Sequence, residues 1–343
     1  ATSTNGTNGN KGRVGASWNA TTTVGSWSIP NVSIQAGDVV TVFLVGADGS
    51  SEAIAVTKYD GTGNITNMQL SARHLTLGSD DSPTITNSDI ELYQNSDNED
   101  VFYSVNGSNL LTLCVESTCS DARLRILSGT SYQPNANSTV INFQNSGTFS
   151  PATNTMRVSG VWQQQGIFNL SESTIIFTAT TSSSTLQNAT STLQFYNVTF
   201  GETSGTATWN IDKPLTVTGT LAVDYGTLNR GTSTINVARN LRIGSGGAMA
   251  GIATTTFNGT ASFTWTDNSA GTNIGNVVID GTAKTITLGS NVTAESVTIG
   301  ADDTLNASGS GFNINVYRTW INNNSFIPQT GTVTFVGTTT GSI

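Results

Sequence analysis

Charge is the scarcest property of this 343-residue chain: Asp, Glu, Lys and Arg together make up 10% of it, against roughly 25% in ordinary globular sequences. It has one histidine, two cysteines, six prolines and three methionines. A lone histidine with no Cys or carboxylate at ligand spacing beside it argues against a His-based metal centre. The 13 basic residues against 22 acidic ones form no run or stripe, so the positive footprint of a nucleic-acid binder is missing. No apolar stretch approaches the roughly 18 residues of a spanning helix. Helical periodicity is absent as well.

What fills the space is hydroxyl and amide. Ser and Thr number 96 and Asn 35. Short alternating stretches such as VVTVFLV (39–45), TLQFYNVTF (192–200) and TITLGSNVT (285–293) recur between Gly, Asn, Ser and Asp, the pattern of an all-β chain. The expected organisation is a flexible, strand-donating arm at 1–13, a β-sandwich at 14–131, and a parallel β-solenoid of roughly ten short coils at 132–343. The arm reading rests on ATSTNGTNGNKG, which has too little to bury to offset its ordering entropy. The sandwich reading rests on irregular strand spacing without a period.

The solenoid reading rests on repetition. INVARN (235–240) answers INVYRT (314–319) at a shift of 79, TLN at 227–229 answers TLN at 304–306, and Phe177, Phe257 and Phe335 close similar phrases. Within this super-repeat runs a beat of about 15 to 25 residues, too short to bury an apolar face alone, so each unit must stack on the next. Alternation places Val198, Phe200, Leu215, Val217, Leu221, Val223, Ile235, Val237, Val277, Ile279, Ile286, Leu288, Val297 and Ile299 inward. Thr, Ser and Asn face outward, where β-branched Thr favours extended backbone.

TWINNNSFIPQTGTVTFVG (319–337), VWQQQGIFNLSESTIIFTA (161–179) and residues 276–309 resemble repeat regions of large secreted bacterial surface proteins and autotransporter-like adhesins that form parallel β-solenoids. GDVVTVFLVGADGSSEAIAVTKYDGTGNITNM (37–68) is similar to the β-domain that precedes such repeats. The resemblance implies an exposed structural or adhesive role and carries over no catalytic residue.

Several single residues are candidates for chemistry. Cys114 and Cys119, five apart, suit a local disulfide across a tight hairpin, with a reduced pair as the alternative. Asp97, Glu99 and Asp100 form the best candidate calcium site; Asp80-Asp81 and Asp302-Asp303 are similar oxygen-rich turns. Calcium is the only cofactor with a candidate site. Among thirteen N-x-S/T sequons, Asn137, Asn258 and Asn306 lie near turns and are the glycosylation candidates. His74 reads as a structural histidine. Asp212, Lys213, Asp224, Arg230, Arg239 and Arg242 are the set a polysaccharide-cleaving β-helix would need to converge. Trp18, Trp27, Trp209 and Trp265 are either sugar-stacking platforms or core covers.

The expectation is a non-enzymatic extracellular or cell-surface protein. A small first residue, Ala1, is what signal cleavage leaves, although a trimmed chain would look the same. GTVTFVGTTTGSI follows the last strand phrase without a capping helix or charged edge, which calls for more chain or another subunit to cover it. The expected partners are copies of itself in a head-to-tail filament. A monomeric adhesin or glycan-binding stalk is the alternative, with no nucleic-acid partner and no membrane span.

Overall fold

The computed structural model describes residues 2–4, 11–13, 27, 32–44, 51–81, 83–91, 101–114, 121–189, 191–338 and 341–342. It is all-β, with a β-solenoid of about 13 turns, and its one described helix is the short Asn87–Glu91. The chain divides into two compact units, Ala1–Met156 with Gln163–Asn169, and Arg157–Trp162 with Leu170–Ile343.

The first unit opens antiparallel. Thr2–Thr4 pairs with both Lys11–Arg13 and Val39–Phe43, and Val39–Phe43 pairs with Ile54–Lys58. The described parts of the arm, Thr2–Thr4 and Lys11–Arg13, are therefore strands that pair within the chain. From Ile54–Lys58 onward the ladder turns parallel, running to His74–Leu77, then Arg123–Ile126, then Asn142–Asn145. Among the described residues of 14–131 these strands join one continuing sheet, and the β-sandwich expected there is not shown. Stacking begins near residue 54, which is why the turns exceed the roughly ten expected. The irregular spacing that suggested a separate domain reflects long excursions between stacked strands: Leu75 pairs with Leu124, 49 positions on, whereas Leu124 pairs with Phe143, 19 on. A neighbouring row stacks the rings of Tyr132, Phe149 and Phe168 at 5.9 and 5.4 Å. Buried Tyr132 donates to Asn87 Oδ1 at 2.5 Å, and Asn87 Nδ2 donates to the Asn109 carbonyl at 2.7 Å. This gives the polar tip of a core aromatic its partner.

The second unit carries three strands per coil, first, middle and last. Ile175, Val198, Leu221, Leu241, Trp265 and Leu288 follow one another in register along the first row. Leu193, Leu215, Ile235, Thr255, Val277, Val297 and Trp320 do so along the last. Successive steps of 19 to 25 residues define the coil. All fourteen residues that alternation placed inward are 0–1% exposed. Parallel strands about 4.8 Å apart bring each against its counterpart above and below, so the core is a pile of mostly apolar side chains in register.

The 79-residue correspondence is not a whole number of coils. Four coils on from Ile235 stands Trp320, 85 positions later. Ile314 pairs instead with Val292 and Val333, in the middle row. Likewise Phe177 stacks on Phe200 in the first row, Phe257 on Ile279 in the last, and Phe335 on Val316 in the middle. The repeated phrase therefore falls one row short of four coils and moves to a new side each time it recurs.

Candidate functional site

The last described coil is built from Ser325–Ile327, which pairs with Thr304–Asn306, and Val333–Phe335, which pairs with Ile314–Asn322. Earlier coils are covered on both sides; these two strands have a strand partner on one side only among the described residues. Stacking that buries Val316 and Leu305 completely leaves their successors less covered: Phe335 is 46% exposed and Phe326 half-buried, and Ile327, which follows Asn306, is 38% exposed. Tyr317, Ile321 and Val336 are also exposed, so five of the seven large exposed hydrophobic side chains of the described chain lie between 317 and 336. After Arg318 no residue to 343 is ionisable. Parallel strand edges normally carry charge or a cover against further pairing; among the described residues this one offers unpaired backbone, apolar rungs and no ionisable side chain.

Elsewhere, charge is used locally. Arg242 meets Asp224 at 2.7 Å across neighbouring coils, and burial nevertheless holds the Asp224 carboxyl above its ordinary range, with Arg242 opposing the rise. Arg157 grips Glu202 through Nε and Nη2 at 2.7 to 3.0 Å, which lowers the Glu202 pKa. Arg239 lies over the Tyr196 ring at 5.8 Å, Asp212 is on the surface, and Lys213 is half-buried. Arg230 is wholly buried. Of the six residues that polysaccharide cleavage would need together, Asp224 and Arg242 thus meet, and the other four are placed in separate settings.

His74 is half-buried on its strand with Nδ1 2.7 Å from the Ala72 carbonyl, and burial lowers its pKa. Trp209 and Trp265 are 1% and 0% exposed: they fill the core and present no ring to a sugar. Trp27 is half-buried and Trp18 lies outside the described residues. Asp97, Glu99 and Asp100 lie outside them too, and among the described residues no cluster of metal-ligating side chains occurs. Cys114 is disulfide-bonded; Cys119 is outside the described residues. Asn137 and Asn258 are exposed and Asn306 half-buried. Asn137 accepts the Thr155 backbone N–H at 2.8 Å, and Asn306 accepts that of Ser308 at 3.0 Å.

The Asp80-Asp81 turn is more specific than the sequence indicated. Asp80 accepts from the Thr66 N–H and hydroxyl, both at 2.5 Å. Asp81 is buried beside the Asp60 carboxyl, and its Oδ2 has no hydrogen-bond partner. Burial first, then Asp60, pushes Asp81 up to about 6. A carboxyl whose folded pKa exceeds its unfolded value stabilises the fold fully below the unfolded pKa, and that contribution is lost as pH rises through the folded one. Stability of the first unit is therefore expected to fall between about pH 4 and pH 7 through this group. The depressed Asp60 and Asp80 act only at lower pH. Urea midpoints measured against pH should show the decline, and Asp81→Asn should flatten it.

No family model, curated protein or solved structure matches the chain.

Proposed function

We propose that this chain is a structural protein of the cell exterior that stacks end to end with further copies of itself into a fibre. The observation that carries the reading is the edge at 325–336, two parallel strands with exposed apolar rungs and no ionisable side chain. A surface of this kind is satisfied by strands at the same spacing that continue both rows at once, and a second copy supplies strands of that geometry. A contact between unlike surfaces propagates instead of closing, which yields a filament. The disulfide-bonded Cys114 supports an oxidising location. A hydroxyl-rich surface with little ionic charge supports exposure to solvent without like charges stacked from coil to coil.

Negative-stain microscopy and light scattering across a concentration series test this. The protein should form fibres, and the double substitution Thr334→Lys, Phe335→Lys, which puts two charges on the edge strand, should leave it monomeric with an unchanged circular dichroism spectrum. A parent protein that stays monomeric at every concentration overturns the reading.

A further inference from the structure

Lys284 and Asp303 are cross-coil neighbours. Thr285 pairs with Thr304 in the first row, and the Thr304 N–H donates to the Lys284 carbonyl at 2.8 Å, so the residues just before them face each other. Lys284 Nζ stands 3.0 Å from Asp303 Oδ1, and both side chains are 0% exposed. They lie at the inward positions preceding Ile286 and Leu305, which are themselves wholly buried. Asp303 Oδ2 has no hydrogen-bond partner. Two glycines hold the space open: a Cβ at Gly281 would sit 2.9 Å from Nζ, and one at Gly300 would sit 2.7 Å from Oδ2. A second carboxylate borders the same gap, with Asp280 Oδ1 3.4 Å from that Gly300 position, and Asp280 reaches solvent.

As an ion pair this is a poor arrangement. Two charges removed from water are offset only when the geometry is good and the remaining lone pairs are satisfied, and here one carboxylate oxygen is orphaned in an apolar core. The same geometry suits condensation: an amine held against a carboxyl, sealed from competing water, gains the rate advantage of an intramolecular reaction.

We propose that Lys284 and Asp303 form an intramolecular isopeptide bond. The neutral Nζ adds to Cγ of the protonated Asp303 carboxyl and the C–N bond forms. The Cγ–Oδ2 bond then breaks, and Oδ2 leaves as water carrying the acid's proton and one from the amine. Asp280 borders the same gap and is the nearby carboxylate proposed to carry that proton. No oxidant or cofactor is needed, and both buried charges disappear. The product is a covalent staple between successive coils of the second unit, and it does not rest on end-to-end assembly.

The test is the mass of the full chain. Intact-mass spectrometry of the reduced, denatured protein should give the sequence mass less one water, and Asp303→Ala should remove that deficit. Trypsin supplies a second readout that does not depend on the variant folding. With the bond, cleavage after Lys284 is blocked and residues 243–318 are recovered as one peptide, lighter by one water. A full sequence mass together with separate peptides 243–284 and 285–318 overturns the proposal and leaves a buried ion pair.

Discussion

Gly247→Val is expected to destabilise the second unit by about 3 kcal/mol or more. Gly247 is buried and stacks directly on Gly226, where the chain passes from the first row to the middle row and the register between coils slips. A Cβ there would run into the carbonyl oxygen of Val223 and stand 2.7 Å from its carbonyl carbon. The obstacle is backbone of the coil before, not the end of a flexible side chain, so relief requires the coils to move apart. Coils held at strand spacing cannot separate locally without breaking hydrogen bonds on both sides. Gly309→Ala is the matched control: its Cβ would meet nothing within 4 Å, and the change should stay within about 0.5 kcal/mol. Urea denaturation followed by tryptophan fluorescence distinguishes the two, since Trp209 and Trp265 are buried in the same unit.

The second large effect is expected at Arg230. Its guanidinium is wholly buried, and burial alone lowers its pKa to about 10. Among the described residues no carboxylate is bonded to it. Instead Nε and Nη2 donate to the Gly251 carbonyl at 3.3 and 3.0 Å, Nη1 donates to Thr255 Oγ1 at 2.5 Å, and Nη2 also donates to the Ile274 carbonyl. One side chain thereby ties together three successive coils, a task suited to a planar group with five donors in a fixed fork. Arg230→Ala should cost about 3–5 kcal/mol, combining a large cavity with orphaned carbonyls at Gly251 and Ile274. Arg230→Lys keeps the charge yet has one compact head, and should recover less than half of that loss. Full recovery by lysine, read from urea midpoints, would show that charge and not the fork is what matters.

The apolar core is legible in the sequence because its signal is the period itself. Every residue from Val198 to Ile299 that alternation places inward is buried, since parity along a strand is set by covalent geometry. The same parity holds a message that composition conceals. Arg230 is two positions after Leu228, Lys284 two before Ile286 and Asp303 two before Leu305, so alternation by itself puts each of these charges at an inward position. The first unit is harder to read because its stacked strands are separated by unequal excursions, which erase a period without changing the stacking. The open edge at 325–336 is foreshadowed by the uncharged GTVTFVGTTTGSI. Which side chains it exposes depends on pairing partners, and alternation does not encode those.

The mismatch between the 79-residue phrase and the coil has a consequence for any use of the repeat. Because Phe177, Phe257 and Phe335 fall on the first, last and middle rows in turn, successive phrases advance around the coil axis like the thread of a screw. Duplicating such a phrase does not lengthen a stripe along one side; it turns the pattern by a third. A surface approaching from a single direction meets only one phrase in three, whereas a sleeve of neighbours meets them all.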